Sequence, residues 1–142
     1  KVVSIRPPVV YGKECKGNFP KLVKLGQITP IFPDYSNVRS VLYIDNLCEL
    51  VRLLIIDRYS GIVHPQNREK VSTTQMMKFI SEKYGRHIWM TRIFNPAIRL
   101  LVNKVHLVNR MFADDHYSLE LSHIYDFKYC VYSTEESIKR SI

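Results

Sequence analysis

The sequence is poor in cysteine: Cys15, Cys48 and Cys130 are far apart, and no C-x-x-C pair occurs. An odd number of scattered cysteines excludes a disulfide framework and a zinc site of the usual spacing. We therefore expect free thiols, a reducing cytoplasmic location and no bound metal. Cys48 falls within an apolar helical pattern, which predicts that its side chain is buried.

Glycine-rich turns, repeats and long apolar runs are also absent from the 142 residues. The longest apolar segments fall well short of the roughly 20 residues that a membrane-spanning helix needs. A chain of this length with 46% hydrophobic and 24% charged residues is expected to form one globular domain.

Acidic residues are scarce, with 13 Asp and Glu against 21 Lys and Arg and a net charge of +8. The basic residues are scattered and do not form a run interleaved with aromatics, so we predict no nucleic-acid partner. A phosphate-bearing small molecule would be recognised equally well by a few placed cations.

Short apolar segments alternate with helical patterns along the chain, which predicts an α/β fold. The predicted extended segments are residues 2–5, 28–33, 38–44, 62–64 and 87–93. The predicted helices cover residues 19–25, ended by Gly26, then 45–55, capped by Asp45, and 72–84, 96–112 and 133–140. Ser72 to Gln75 and Ser133 to Glu136 fit capping boxes.

The segment Ile5-Arg6-Pro7-Pro8-Val9-Val10-Tyr11-Gly12 follows the first predicted strand. Proline ends a strand because it cannot donate to the ladder, and glycine allows a sharp turn. The pattern predicts a rigid backbone lip at the carboxyl end of a strand, where open α/β sheets bind ligands. A buried strand this close to residue 1 also predicts that the natural sequence continues upstream.

Four segments, in order, resemble those of the extended short-chain dehydrogenases/reductases of the NAD-dependent nucleotide-sugar epimerase/dehydratase type. The segment from Arg6 to Gly12 is similar to the family's R-P-x-x-V-Y-G, and Gly17-Asn18-Phe19-Pro20 to its G-N-L-x-P. Val38-Arg39-Ser40-Val41-Leu42-Tyr43-Ile44-Asp45-Asn46-Leu47 resembles V-R-D-x-x-H-V-x-D-L. Residues 133–138 resemble the closing S-L-E-E-G-I helix.

The resemblance implies the carboxyl-terminal, substrate-binding part of an extended Rossmann-type, doubly wound fold without its amino-terminal dinucleotide-binding half. Residues 1–142 would be a single substrate-binding domain fragment. Residues 1–12 would end the Rossmann sheet and form the cofactor lip, and residues 13–142 would form the substrate-binding subdomain.

The resemblance also implies a set of substrate-binding residues. Arg39 corresponds to the arginine that grips the nucleotide-sugar diphosphate, and Asn18 to an asparagine at the sugar or phosphate. Ile31 and Phe32 correspond to a segment that meets the nucleobase, and Arg110 is a candidate for a later phosphate contact. Other interpretations stay open at this point: a solvated Arg39, a turn-forming Asn18, and core packing for Ile31 and Phe32.

NAD is the implied cofactor, bound mainly by the missing half, with Pro7, Pro8 and Tyr11 beside it. The family's catalytic Y-x-x-x-K pair does not occur in this sequence, so no catalytic residue is assigned here. We expect part of a nucleotide-sugar (UDP-sugar-like) epimerase or dehydratase that is inactive alone. The alternative is a non-catalytic dinucleotide-sensing or protein-binding module of the same superfamily.

The expected partners are a nucleotide-sugar substrate and further copies of the chain in a homo-oligomer. The predicted helix 96–112 carries Arg99, Lys104, His106 and Arg110 off its apolar stripe and could lie on an anionic membrane. Docking of that stripe on the protein's own sheet is the expected arrangement, without peripheral membrane contact.

Overall fold

Six short strands and six helices form the structure, a computed structural model that describes residues 2–142. The strands are β1 Val3–Ile5, β2 Val9–Tyr11, β3 Ile31–Pro33, β4 Val41–Tyr43, β5 Gly61–Val63 and β6 Trp89–Thr91. The helices are α1 Phe19–Ile28, α2 Ile44–Ile56, α3 Thr73–Lys83, α4 Asn95–Leu101, α5 His106–Phe112 and α6 Thr134–Arg140. Two 3₁₀ turns, Glu120–Ser122 and Ile124–Phe127, precede α6. The predicted α/β class is confirmed.

The strands form three parallel pairs, β1 with β5, β2 with β4 and β3 with β6. In register, Val9 lies opposite Val41, and Ile31 lies opposite Trp89. Parallel pairing needs a long crossover between partners, and the intervening helices supply it. None of the helices in residues 2–142 is long and apolar enough to cross a membrane.

Two apolar clusters form the core. The larger joins α1, α3, α6 and the β2–β4 pair, and its fully buried side chains include Tyr11, Met77, Ile80 and Ile138. The smaller packs α2 against β5 and the turn before α6, around Leu42 and Leu50. Helices α1 and α3 both lie in the larger cluster. The packing of α1 against α3 therefore positions the residues that precede α1.

Both predicted capping boxes are N-caps in the structure. The Ser72 hydroxyl accepts from the Gln75 N–H at 3.0 Å, and the Gln75 side chain accepts from the Ser72 N–H at 2.8 Å. Ser133 accepts from the Glu136 N–H at 3.2 Å. By contrast, α2 begins at Ile44 with Tyr43 as its N-cap, so Asp45 lies in the first turn rather than at the cap.

Three further expectations are wrong. Helix α1 continues through Gly26 to Ile28, because Gly26 is buried against α3 rather than placed at a helix end. The predicted helix 96–112 is two helices, since Val105 is extended (φ −111°, ψ 114°) and interrupts it. Cys48 is exposed, because it lies on the outer side of α2.

Gly26 brings α1 and α3 into close contact. A Cβ built on Gly26 would lie 2.6 Å from Cγ2 of Ile80 and 3.3 Å from Sδ of Met77. At 2.6 Å, the β-branched Ile80 side chain or the helix that carries it must shift, and overpacking a core costs about 1–3 kcal/mol.

We therefore expect Gly26→Ala to lower the free energy of unfolding by about 1–3 kcal/mol, measured by urea denaturation. Adding Ile80→Leu, which removes the branch at Cβ, should restore part of this loss. Gln27→Ala, on the exposed side of the same turn, is the matched control. Equal stability of Gly26→Ala and Gln27→Ala would contradict the close-packing explanation.

Candidate functional site

Two adjoining cavities, of about 350 Å³ and 490 Å³, form one cleft between α1, α5 and the start of β4. Val9, Asn18, Arg39 and Arg110 line both cavities. Three of the five predicted substrate-binding residues, Asn18, Arg39 and Arg110, are thus brought together from positions 92 residues apart in the chain. We call this joint space the cleft.

The smaller cavity is walled mainly by apolar side chains from α1, β4, α3 and α5. Two lysines of α1, Lys21 and Lys24, add positive charge at its edge. Their spacing of three residues places them on one side of the helix. The sequence motifs did not point to them; the only signal available was this spacing within a helix that carries no acidic residue.

Arg39 is held by backbone pairing with Val71 on one side and Asp115 on the other. Its N–H donates to the Val71 carbonyl at 3.0 Å, and its carbonyl accepts from the Val71 N–H at 3.1 Å. The Arg39 Nη1 donates to the carbonyls of Arg110 and, at 3.4 Å, Met111, so the guanidinium sits at the carboxyl end of α5. A cation is favourable there because the last carbonyls of a helix carry partial negative charge.

The rest of the Arg39 guanidinium is available to the cleft, since Nε and Nη2 make no hydrogen bond within residues 2–142. Partial burial lowers the pKa of Arg39, and the nearby Asp115 carboxylate offsets part of that effect. Arginine remains charged despite such a shift, because its ordinary pKa is far above neutral. Arg39 therefore both anchors α5 and presents positive charge to the cleft.

The end of α5 is also held by Asn37 and Thr73. The Asn37 amide donates to Thr73 Oγ1 at 3.1 Å and to the Ala113 carbonyl at 3.4 Å. The Thr73 hydroxyl donates to the Met111 carbonyl. These bonds satisfy carbonyls that a helix end leaves without intrahelical partners.

Asn18 is the N-cap residue of α1, yet its side chain makes no capping hydrogen bond. Gly17 before it has a positive φ of 122°, so the turn depends on the glycine. The Asn18 carbonyl accepts from the Leu22 N–H at 3.0 Å, and Asn18 also lines the cleft. Turn formation and ligand contact are therefore compatible at this residue.

The larger cavity carries both signs of charge, because Asp114 and Asp115 line it with Arg39 and Arg110. Asp114 Oδ1 accepts from the Val38 N–H at 2.7 Å, which gives that carboxylate a structural partner. Within residues 2–142, no group of three His, Cys, Asp or Glu side chains is placed to hold a metal ion.

Ile31 and Phe32 are not among the residues that line the cleft. Phe32 is buried in the larger core cluster, with its ring 6.0 Å from that of Phe112. Ile31 is exposed on the outer face of the β3–β6 pair, opposite Trp89. Phe32 is therefore a core residue. Ile31 belongs neither to the core nor to the cleft.

The residues expected beside NAD lie at the end of β1 and in β2. Pro7 and Pro8 are half-buried, and their backbone could form a wall against a ring. Tyr11 is fully buried, and its hydroxyl is bound to Ser137 and to the Asn67 amide at 3.1 Å. The prolines therefore remain partly accessible, whereas the Tyr11 hydroxyl is already hydrogen-bonded within the protein.

No protein-family model and no curated protein sequence matches this chain. Solved structures do. UDP-glucose 4-epimerase from Thermus thermophilus in complex with NAD has a TM-score of 0.64 and 16% identity, covering 98% of this chain and 44% of that one. UDP-N-acetylglucosamine 4-epimerase from Bacillus cereus has a TM-score of 0.56 and 12% identity, covering 96% and 45%.

A dehydratase of known structure is also similar to this chain. dTDP-glucose 4,6-dehydratase from Bacillus anthracis str. Ames in complex with NAD has a TM-score of 0.61 and 11% identity, covering 98% of this chain and 42% of that one. The fold is that of the carboxyl-terminal part of an extended short-chain dehydrogenase/reductase. This chain spans less than half the length of each of these solved structures.

Burial raises the pKa of Tyr11 to about 12, although its hydrogen bonds to Ser137 and Asn67 act in the opposite direction. The unfolded chain releases this proton near pH 10, so the folded state holds more protons between pH 10 and 12. The stability that Tyr11 contributes is therefore complete below pH 10 and is lost as the pH rises toward 12, by about 2–3 kcal/mol.

We expect Tyr11→Phe to reduce the loss of unfolding free energy between pH 10 and 12, measured by urea denaturation at a series of pH values. Exposed Tyr84→Phe is the control, and an unchanged slope for Tyr11→Phe would contradict the assignment.

The Arg39 anchor also generates a prediction about α5. Arg39→Ala removes the side-chain donor at the Arg110 and Met111 carbonyls, so hydrogen exchange should accelerate in residues 106–113 and stability should fall by about 1–3 kcal/mol. Arg39→Lys should restore only part, because one ammonium lacks the planar fork of arginine. Arg99→Ala, on α4, is the control. Unchanged exchange in α5 of Arg39→Ala would show that Asn37 and Thr73 hold the helix alone.

Proposed function

We propose that this chain is the substrate-binding part of an NAD-dependent nucleotide-sugar epimerase or dehydratase. The observation that carries the proposal is the cleft, where Asn18, Arg39 and Arg110 meet although each comes from a different part of the sequence. Support comes from the solved structures of similar fold, whose names give UDP-sugar epimerases and a dTDP-glucose dehydratase.

The two cavities suit the two chemically different parts of such a substrate. The larger cavity offers two guanidinium groups, which pair well with the oxygens of a diphosphate. The Asn18 amide can donate to a phosphate or a sugar hydroxyl from the same side. The smaller, apolar cavity between α1 and α5 offers flat contact area for a ring, with Lys21 and Lys24 at its edge.

NAD would supply the hydride acceptor and donor for such a reaction. In this chain, Pro7 and Pro8 would border the cofactor, and the cleft residues would bind and orient the sugar nucleotide. The sequence contains no Y-x-x-x-K pair, so the chain is proposed to be inactive without a further part that provides the base. A dinucleotide-sensing or protein-binding module is the competing function.

Arg110 provides the sharpest test of the cleft. Its side chain is exposed while its carbonyl accepts from Arg39, so Arg110→Ala keeps the α5 anchor and removes only the guanidinium. We expect Arg110→Ala to weaken UDP-sugar binding in calorimetry by about 1.5–3 kcal/mol, the range for hydrogen bonds to charged groups. Arg99→Ala, which lines neither cavity, should bind as the parent chain does. Equal affinity of Arg110→Ala and the parent would remove Arg110 from the site.

A second measurement separates binding from turnover. The 142-residue chain with NAD should show no epimerisation or dehydration of UDP-glucose, UDP-N-acetylglucosamine or dTDP-glucose above a buffer blank. Binding without turnover supports the substrate-binding part of an enzyme. Turnover by this chain would contradict the proposal that the catalytic base comes from a further part of the protein. Binding of NAD without binding of any sugar nucleotide would favour the dinucleotide-sensing module.

A further inference from the structure

An exposed apolar surface lies beside the cleft and has no role in the proposed function. We call it the Trp89 surface; its residues are Ile28, Ile31, Trp89, Ile93 and Leu100. These residues are 71%, 48%, 72%, 81% and 64% exposed. Single exposed apolar residues are ordinary, but a group that includes the only tryptophan of the chain calls for a partner.

Hydrogen bonds connect the parts of this surface. The backbone N–H of Trp89 donates to the Pro30 carbonyl at 2.9 Å. Trp89 lies directly opposite Ile31 in the β3–β6 pair. Arg86 donates to the Gln27 carbonyl at the end of α1, one residue before Ile28. The end of α1 and the β3–β6 pair are thus neighbours in the fold, and Ile93 lies between β6 and α4.

The chain segment that carries Trp89, Ile93 and Leu100 is strongly basic. Residues 83–113 contain no Asp or Glu and carry six basic side chains: Lys83, Arg86, Arg92, Arg99, Lys104 and Arg110. Within this segment Arg92 is ion-paired, to Asp34 at 2.9 Å, and its side chain remains largely exposed. Apolar and aromatic side chains surrounded by Lys and Arg are the composition of proteins that lie in a membrane interface.

We infer that the Trp89 surface docks on an anionic lipid bilayer. The apolar side chains would enter the region between headgroups and acyl chains, and the basic side chains would contact the acidic headgroups. A second copy of the chain is a poorer occupant, because a symmetric contact would bring two like-charged basic rims together. This inference replaces the expectation that the 96–112 segment makes no membrane contact, since its two helices leave Leu100 exposed.

Docking would place the cleft at the membrane surface. Ile28 belongs to the Trp89 surface and also lines the smaller cavity, across from exposed Leu107 of α5. The cleft would then open at the level of the lipid headgroups. Nucleotide-sugar binding in the absence of vesicles does not depend on this contact, so either proposal can fail without the other.

The single tryptophan gives a direct test with the unaltered chain. On addition of vesicles of phosphatidylcholine mixed with phosphatidylglycerol, Trp89 emission should shift to shorter wavelengths, and the chain should float with the vesicles. Pure phosphatidylcholine should bind less, and high salt should weaken binding because it screens exposed charges. No shift and no flotation with anionic vesicles, or equal binding to neutral vesicles, would overturn the inference.

Paired variants identify the surface. Ile93→Ser combined with Leu100→Ser keeps the Trp89 reporter and should weaken vesicle binding about tenfold or more. The control, Leu121→Ser with Val131→Ser, changes two comparably exposed apolar residues elsewhere and should bind as the parent does. Equal losses in both variants would overturn the assignment. So would sedimentation showing a vesicle-free dimer that the first variant alone dissociates, because the surface would then contact a second copy.

Discussion

The side-chain amide of buried Asn67 joins four elements of this fold. Its Oδ1 accepts from the Tyr43 N–H and from the Asn46 amide, each at 3.1 Å. Its Nδ2 donates to the Tyr11 hydroxyl at 3.1 Å and to Thr134 Oγ1 at 3.2 Å. One residue thereby links β2, the end of β4, the start of α2 and the start of α6. Because a buried polar group without partners is costly, these bonds fix the relative positions of the elements.

The cleft depends on this arrangement through β4. The Asn67 N–H donates to the Val41 carbonyl at 2.7 Å, two residues after Arg39. Arg39 in turn reaches the end of α5, which brings Arg110 to the cleft. The positive charge of the site is therefore assembled by polar contacts within the protein. The β3–β6 pair, which carries part of the Trp89 surface, takes no part in these contacts.

Predictions from local sequence succeeded where the cause is local. Ser72 and Ser133 are N-caps because a short side-chain oxygen can bond the N–H three residues later, whatever the fold. They failed where a neighbour in space decides the outcome. Glycine is typical of a helix end, but at Gly26 the absence of a Cβ instead allows close contact with Ile80. The interruption at Val105 lets α5 turn its carboxyl end toward Arg39, a residue far away in the chain.

The sequence by itself predicted the α/β class, and the resemblance of its short motifs to a known family implied Asn18, Arg39 and Arg110 as a candidate set. The class follows from periodicity, which is a property of neighbouring residues. Strand β2 and the break between α4 and α5 were not predicted. Only the tertiary structure decided that those three residues meet, that Phe32 is core and that Lys21 and Lys24 join the cleft. It also decided that Trp89 is exposed. Burial and charge at a position depend on residues distant in sequence, which packing alone brings together.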